Sequence, residues 1–278
     1  MILERTVAAV FGANCYVLAA GLGKSAVVVD PGAGAARGAL ALLRSNDLTL
    51  GSVLLTHGHA DHVWDAQRLI DAAVADRRIA GGAISVPVYI PEPDLYRLED
   101  PDGTTGIRAS GMGFADLAGS QWARPEDVRP FPAEGFGQAV ELAEGVALQA
   151  VPAPGHSEGS TVFFFNAHLG DNQLLWEAEV LDDPASIPEQ DYLVALTGDV
   201  IFKGSVGRTD LPGGDQYQMW ATLRLLASVV SPDTVLLPGH GAVTTMEHEH
   251  HGNPYLAEAK VRGGEGGAVA QPGAGTAH

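Results

Sequence analysis

The sequence predicts an α/β fold of layered sheets and helices, and two observations lead to this prediction. Short apolar runs with strand character, such as 25–29 and 52–55, end in polar or Gly-containing turns. Between them lie segments whose apolar residues recur at helical spacing, as in 35–45. Strands that alternate with helices are typical of layered α/β domains. A chain of 278 residues, 46% of them hydrophobic, is also long enough to bury a substantial core.

The elements of the N-terminal half follow from periodicity. The predicted strands are 16–20, 25–29, 52–55 and 84–90, and the predicted helices are 35–45 and 62–79. In the first helix Leu40 and Leu43 face inward, and in the second Val63, Ala66 and Ile70 lie close to the 3.6-residue period. In the C-terminal half, the pattern predicts strands at 140–151, 161–165, 194–199 and 234–237 and a helix at 215–229.

Two segments depart from this alternation. Residues 91–132 are rich in Pro, Gly and Asp and predict a long excursion over one face, of the kind that forms functional lids. Residues 166–193 carry seven acidic residues and no Lys or Arg. We interpret them as a solvated surface insert, with a lid or a dimer contact as the alternative. The chain is therefore predicted to form one domain over 1–262 with these two excursions, and a disordered Gly-, Ala- and Pro-rich tail over 263–278.

The charge balance excludes some classes of partner. The chain has 34 acidic and 16 basic residues, so its net charge is 16 − 34 = −18. Nucleic acids and anionic membranes are bound through Lys and Arg that displace counterions, so we expect neither as a partner. The single cysteine, Cys15, cannot form an internal disulfide, and nothing near it supplies the positive charge that a reactive thiolate needs. It is therefore predicted to be a small buried apolar residue.

The N-terminal apolar run over 7–22 does not resemble a membrane span. Gly12, Asn14 and Gly21 interrupt it, whereas a spanning helix needs about 20 predominantly apolar residues. The start contains Glu4-Arg5 and lacks the charge pattern of a signal peptide. We interpret the run as a first strand and expect a cytoplasmic protein.

A cluster of metal-binding side chains follows the buried strand at 52–55. His57, His59 and His62 lie within six residues, together with Asp61. Imidazole is the commonest metal ligand in proteins, and a carboxylate is its usual complement. Grouping four ionisable side chains without a cation would be costly, so a metal site is the best interpretation.

Three further candidates also stand at predicted strand ends. His156 follows the strand near 151, Asp199 ends the strand over 194–199, and His240 follows the strand over 234–237. Ligands in α/β sheets collect at strand ends. Together with the first cluster they make seven ligands, which are too many for one tetrahedral ion. Seven suit two ions that share one carboxylate and keep open positions for water.

This pattern resembles the metallo-β-lactamase superfamily, over about residues 10–260. The resemblance implies a four-layered αβ/βα sandwich. The stretches Gly198–Asp210 and Asn253–Leu256 are similar to those of glyoxalase II-like, or hydroxyacylglutathione hydrolase-like, enzymes without a separate glutathione-binding domain. The β-lactamases of the superfamily generally lack the bridging aspartate that Asp199 matches. The metal ligands that the resemblance implies are His57, His59 and His156 for the first ion, Asp61, His62 and His240 for the second, and Asp199 as the bridge.

The expected function is that of a metal-dependent hydrolase. A hydroxide held by two divalent ions, zinc first, with iron or manganese as alternatives, would attack a thioester of the hydroxyacylglutathione type. Asp61 and Asp199 are the candidate catalytic carboxylates. Asp61 is a ligand first, and orienting the hydroxide is a further role for it. Lys203, Arg208 and Tyr255 are the candidate substrate contacts, although Arg208 can instead pair with a neighbouring acid and Tyr255 can serve in packing.

Two other activities stay open at this stage. Persulfide dioxygenases resemble the same motifs and hold a single iron through the equivalents of His57, His156 and Asp199. A lactonase is the further alternative, because a cyclic ester can meet the same hydroxide. The expected partner is a small-molecule thioester, and the sequence leaves open whether the protein is a homo-oligomer.

Overall fold

Two mixed β-sheets of six strands each face one another in the computed structural model, which describes residues 1–76, 85–104 and 111–262. The first sheet has the order β1-β2-β3-β4-β5-β6. Neighbouring strands are antiparallel from β1 to β3 and parallel from β3 to β6. Its strands are β1 (Ile2–Val7), β2 (Asn14–Ala19), β3 (Ser25–Val29), β4 (Thr49–Leu54), β5 (Val88–Ile90) and β6 (Val128–Pro130).

The second sheet has the order β14-β13-β10-β9-β8-β7. Only β10 and β13 are parallel within it. Its strands are β7 (Val140–Ala143), β8 (Val146–Pro152), β9 (Thr161–His168), β10 (Asp191–Gly198), β13 (Val235–Pro238) and β14 (Thr244–Thr245). A separate two-stranded ribbon consists of β11 (Ile201–Phe202) and β12 (Ser205–Val206).

The α-helices are α1 (Ala36–Ser45), α2 (Ala60–Val63), α3 (Ala66–Ala75), α4 (Pro101–Thr104), α5 (Phe114–Ala118), α6 (Gln173–Glu177), α7 (Gln216–Val229), α8 (Met246–Gly252) and α9 (Pro254–Arg262). Four of the helices, α1, α3, α7 and α9, cover the outer faces of the sheets. Within the described ranges, 3₁₀ segments span Glu92–Glu99 and Ala133–Phe136. Asp215 caps α7 by accepting the backbone N–H groups of Tyr217 and Gln218, as short polar residues do at helix starts.

The core divides into layers because successive strand residues point to opposite faces. Leu18 and Val27 of the first sheet pack with Phe163 and Leu196 of the second in the central layer. Val17 and Val28 lie on the outer face of the first sheet, in one cluster with residues of α1 and α3. Residues of α7 and α9 form a third cluster on the outer face of the second sheet. The order helix, sheet, sheet, helix confirms the predicted four-layered sandwich.

The N-terminal elements differ from the prediction in one respect. The run over 7–22 is not one strand, because β1 ends at Val7 and β2 begins at Asn14. Between them the backbone N–H of Ala8 donates to Ala13 O and closes a short loop. Cys15 is fully buried in β2, as predicted. In the part of the chain that the structure describes, no helix has the length and apolar character that a membrane crossing requires.

The predicted helix over 62–79 is interrupted at Trp64 and Asp65, between α2 and α3. The Asp65 carboxylate accepts backbone N–H groups of Gly34 and Ala36, so it stabilises the start of α1 instead of continuing its own helix. Residues 77–79 of that prediction lie outside the described residues. The predicted strand over 84–90 is shorter, because β5 begins only after Pro87, which has no N–H to donate. Residue 84 is also not described.

Both predicted excursions contain ordered elements. Residues 91–132 hold the first 3₁₀ segment, α4, α5 and a full parallel strand, β6, that extends the first sheet. The interpretation of 166–193 as a surface insert is wrong in part, because Leu174, Leu175 and Leu181 are buried in the central layer. Apolar residues within an acidic segment can still face a core. The predicted tail over 263–278 lies outside the described residues.

Candidate metal centre

Strand ends bring the seven predicted donors to one edge of the sandwich. His57 follows β4, and His59 stands at the N-terminal end of α2. Asp61 and His62 belong to the first turn of α2. The other three donors follow β8, β10 and β13; they are His156, Asp199 and His240. Residues 57–62 and 240 therefore come together although they are far apart in the chain.

The first triad consists of His57, His59 and His156. One donor atom from each lies within 4.8 Å of the others, and all three side chains are buried. His59 Nδ1 is 2.7 Å from His156 Nε2. His57 Nε2 is buried and has no hydrogen-bond partner. A buried nitrogen without a partner, next to two ring nitrogens that face each other, fits three lone pairs directed at one cation.

The second triad consists of Asp61, His62 and His240, whose donor atoms also lie within 4.8 Å of one another. His240 Nε2 is 3.2 Å from Asp61 Oδ2 and 3.2 Å from His62 Nε2. His62 Nε2 is 3.7 Å from Asp61 Oδ2. Two imidazoles and one carboxylate converge here, which is a donor set that Zn²⁺, Fe and Mn accept.

Asp199 lies between the two triads. Its Oδ2 is 3.5 Å from His156 Nε2 of the first triad and 3.5 Å from His240 Nε2 of the second. Its Oδ1 is 3.2 Å from His62 Nε2. A single carboxylate that lies close to both triads has the position that a bridging ligand requires.

Hydrogen bonds indicate which ring nitrogen carries the proton in three of the five site histidines, His156, His62 and His57. His156 Nδ1 donates to Arg208 O at 2.8 Å, so its Nε2 keeps a free lone pair. His62 Nδ1 donates to the Asp30 carboxylate at 3.0 Å. His57 Nδ1 lies 3.1 Å from the hydroxyl of Thr56, and that hydroxyl donates to Asp30 at 2.7 Å. In all three rings Nε2 is left available for a metal.

Sequence reasoning missed Asp30. This residue is buried at the end of β3 and also accepts the backbone N–H of Thr56. It therefore orients His62 directly and His57 through Thr56. The signal was present, because Asp30 follows an apolar strand in the same way as Asp199 does. Its next residues, Pro31-Gly32, suggested only a turn.

A second missed residue, Asp94, joins the loops that carry the first triad. It is fully buried in the 3₁₀ segment Glu92–Glu99. Its carboxylate accepts the backbone N–H of Gly58 at 2.8 Å and that of Gly159 at 2.7 Å, and the hydroxyl of Ser157 at 2.7 Å. Arg97, also fully buried, donates to Asp94 at 3.2 Å and to Pro212 O at 2.9 Å. No sequence pattern pointed to this pair.

The electrostatics of the first triad favour neutral imidazoles. Burial lowers the pKa of His59 to about 3, and the nearby His156 ring adds to the effect. Burial and the neighbouring imidazoles of His62, His59 and His156 hold the pKa of His57 well below its ordinary value. Neutral imidazole is the form that coordinates a metal.

In the second triad and at Asp199, by contrast, neighbouring charges favour the ionised forms of the side chains. Burial alone would raise the pKa of Asp199, but the His62, His156 and His240 imidazoles hold it well below its ordinary value. Burial would likewise lower the pKa of His62, but Asp199 and Asp61 raise it well above its ordinary value. Without a metal, His62 is thus held as the cation among the carboxylates of Asp30, Asp61 and Asp199. A divalent ion can replace that proton, so the residues fit a metal centre.

A cavity of about 440 Å³ opens onto this centre. The polar residues of its floor are His59, Asp61, His156, Asp199 and His240. The remaining lining residues are Phe11, Phe202, Val206, Gly207, Arg208 and Leu211. The volume is in the range of small-molecule sites, and the mixture of an apolar wall with a few polar groups is typical of them.

The three candidate substrate contacts have different surroundings. Arg208 lines the cavity, but its guanidinium makes two hydrogen bonds of 2.7 Å to Asp210. Lys203 donates to Glu179 at 3.1 Å and is not among the lining residues. Tyr255 is 42% exposed at the start of α9 and does not line the cavity either. The structure therefore brings Arg208, but not Lys203 or Tyr255, to the wall of the cavity.

Fold and site together define a class of protein: a four-layered αβ/βα sandwich with two His- and Asp-rich donor groups at one edge. The family model of the metallo-beta-lactamase superfamily matches residues 8–168. The chain belongs to this superfamily.

Curated relatives span nearly the whole chain. An uncharacterized protein of Mycobacterium tuberculosis is 33% identical over 256 residues, which are 92% of this chain and 98% of that protein. The hydroxyacylglutathione hydrolase GloC of Haemophilus influenzae is 28% identical over 237 residues, which are 84% of this chain and 88% of that enzyme.

Solved structures agree on the fold. The BLEG-1 B3 metallo-beta-lactamase superposes with a TM-score of 0.66 and 26% identity, covering 92% of this chain and 99% of that one. The protein TTHA1623 in a di-iron-bound form has a TM-score of 0.61 and 29% identity, covering 91% of this chain and 99% of that one.

Proposed function

We propose that this chain is a metal-dependent hydrolase that cleaves a thioester, of the hydroxyacylglutathione type, with water activated between two divalent ions. The observation that carries the proposal is the position of Asp199, within 3.5 Å of both donor triads at the floor of a cavity. The name of the Haemophilus relative supports the choice of thioester. Zinc is the first choice of metal, and the di-iron form of TTHA1623 supports iron as an alternative.

The residues of this chain would divide the work as follows. His57, His59 and His156 would hold one ion, Asp61, His62 and His240 would hold the other, and Asp199 would contribute to both sites. When bound, the ions supply a nucleophilic hydroxide near neutral pH and polarise the substrate carbonyl. Asp61 borders the cavity, where its carboxylate can accept a hydrogen bond from the attacking water and orient it.

The overall reaction is balanced without another reactant. The water oxygen bonds to the acyl carbon, the carbon–sulfur bond breaks, and the products are a carboxylic acid and a thiol. The proton released by water ends on the departing sulfur. A thiolate leaves readily, so the site does not need a strong general acid, and the described residues of the floor include none beyond the donors already named.

The test is the hydrolysis of S-lactoylglutathione by the full chain loaded with zinc, iron or manganese. We expect turnover that His57→Ala abolishes, because this variant removes one ligand of the first triad. His251→Ala is the matched control, since His251 is an exposed histidine outside the cavity and should leave turnover unchanged. Loaded protein without turnover would contradict the proposal.

A second candidate, β-lactam hydrolysis, is favoured by one observation, the similarity to BLEG-1 at 26% identity. A chromogenic cephalosporin tested on the same samples separates the two activities. Oxygen uptake with glutathione persulfide, together with one iron per chain, would instead favour a persulfide dioxygenase that uses the same ligands. Hydrolysis of a cyclic ester in place of the thioester would favour a lactonase.

A further inference from the structure

We propose that the cavity selects thioesters with an apolar acyl group, and that Phe11 is the residue that determines this specificity. The inference rests on the proposed thioester hydrolysis and names the substrate class of the same site. Three observations support it: the wall of the cavity is apolar, the backbone of Phe11 is in the left-handed region, and Arg208 is paired with Asp210.

The wall beside the metal centre is apolar. Phe11, Phe202, Val206 and Leu211 line it. Phe202 also packs edge-on against the His240 ring, with ring centroids 5.9 Å apart, so the apolar wall begins directly at the second triad. An acyl group whose carbonyl lies at the ions therefore extends along hydrocarbon surface.

Phe11 is held at the mouth of the cavity at a conformational cost. Its side chain is 56% exposed, although burial of an aromatic ring is favourable. Its backbone has φ of 61°, in the left-handed region that bulky residues rarely adopt. Strain of this kind costs about 1–3 kcal/mol and is concentrated at functional sites. One edge of the ring packs against the fully buried Phe114, with ring centroids 5.7 Å apart, and the rest of the side chain stays exposed in the wall of the cavity.

The loop that carries Phe11 is anchored on both sides. Ala8 N–H donates to Ala13 O within the loop, and Val10 N–H donates to Ala33 O. At its end, Asn14 donates from its backbone to Gly239 O and from its side chain to Pro238 O. The position of the ring beside the metal centre is therefore fixed by backbone hydrogen bonds, which preorganises an apolar contact for a ligand.

The described lining residues offer no unpaired cationic side chain to a charged acyl group. Arg208 is the one cation among the described lining residues, and both arms of its guanidinium bind Asp210. The floor carries the carboxylates of Asp61 and Asp199. In the metal-loaded site these carboxylates would already hold the ions, so an acyl carboxylate that extends along the wall would meet apolar surface and the paired Arg208, whereas an alkyl chain would bury apolar surface there.

The experiment compares two thioesters of one carrier, S-hexanoylglutathione and S-lactoylglutathione, on metal-loaded protein. Three additional buried methylenes predict a kcat/KM about 50-fold higher for the hexanoyl substrate. Phe11→Ala should lower hexanoyl turnover about tenfold more than lactoyl turnover, and Phe11→Leu should retain most of the preference. Tyr217→Ala is the matched control, because Tyr217 is a 79% exposed aromatic residue of α7 that does not line the cavity.

Binding of thioethers separates this inference from the proposed function. S-Hexylglutathione and S-methylglutathione have no acyl carbonyl and cannot be hydrolysed. We expect the hexyl compound to raise the Tm of the loaded wild-type protein more than the methyl compound does, and Phe11→Ala to remove the difference. This result without any thioester turnover would support the apolar wall and overturn only the proposed function. Equal turnover of both thioesters, or a preference that Phe11→Ala leaves intact, would overturn the inference and leave the hydrolase standing.

Discussion

Asp30 accepts the Nδ1–H of His62 at 3.0 Å, and the same carboxylate oxygen accepts the hydroxyl of Thr56 at 2.7 Å. Thr56 in turn lies 3.1 Å from Nδ1 of His57. One buried carboxylate therefore orients a histidine in each triad, His62 directly and His57 through Thr56. Because a ring that donates from Nδ1 presents its Nε2 lone pair, Asp30 keeps both histidines in the tautomer that binds metal.

Asp30→Asn is expected to weaken metal binding about 10- to 100-fold. An amide nitrogen at this position would donate to Nδ1 of His62 and to the Thr56 hydroxyl, and the hydroxyl would then donate to Nδ1 of His57. Both rings would have to carry their proton on Nε2, which is the wrong tautomer for a metal ligand. Asn tolerates the left-handed φ of 49° at this position, so the backbone should not change. The measurement is competition with a chromophoric chelator, followed by metal analysis of the dialysed protein.

Asp47→Asn is the control for this variant. Asp47 has a similar φ of 55°, is exposed and lies outside the cavity, so the charge change and backbone conformation are matched. Its metal affinity should equal that of the wild type. Unchanged affinity in Asp30→Asn would show that the carboxylate does not set the tautomers.

Asp94→Asn is expected to destabilise the protein by about 3 kcal/mol. All four partners of this carboxylate are donors, from Gly58, Ser157, Gly159 and Arg97. An amide nitrogen in place of one oxygen must face a donor, and Arg97 loses its buried counter-charge. Urea unfolding of the metal-free protein measures the effect. Asp71→Asn, on the exposed side of α3, should change stability by less than about 0.5 kcal/mol.

The metal-free protein should lose stability as pH falls from about 6.5 to 4.5. Burial keeps His57 neutral and lowers the pKa of His59 to about 3, whereas both take up protons near pH 6.5 in the unfolded chain. Two such groups give a slope of up to about 2.7 kcal/mol per pH unit. The raised pKa of His62 adds stability that is lost only as pH rises above 6.5, so it is constant in this window.

Urea unfolding in the presence of a chelator, at intervals between pH 6.5 and 4.5, measures this slope. His59→Gln should reduce the slope by about half, because one of the two titrating groups is removed. The lowered pKa of Asp199 contributes only near pH 4 and below, so it does not account for a loss at pH 5.5. Stability that stays flat or rises toward pH 4.5 would show that the histidines are not buried as neutral groups.

Cys15 should be inert to thiol reagents in the native protein. It is fully buried in β2, and burial, together with the nearby carboxylates of Asp30 and Asp65, raises the pKa of its thiol far above the ordinary value. The thiolate that reacts is therefore not formed. Ellman's reagent should modify no thiol in buffer and one per chain in denaturant. Rapid labelling of native protein would mean that β2 opens readily.

The sequence alone was sufficient for the fold class and for the positions of the seven donors. Both depend on local information: apolar periodicity identifies strands and helices, and a polar residue directly after a buried strand must lie at a sheet edge. The same reasoning fails where a side chain binds a segment that is distant in the chain. Asp65 interrupts a helical pattern because its carboxylate binds the start of α1, some 30 residues away in the chain.

The tertiary structure decided the surroundings of the donors. Asp94 looked like one more acid in a polar segment, but folding buries it against Ser157, 63 residues away. Phe11 looked like part of a strand, but it is exposed and lines the same cavity as His240. Lys203 is engaged by Glu179 across the fold. The partner of a polar group or an aromatic ring is chosen by which segments meet in space, and no pattern within a short stretch of sequence records that meeting.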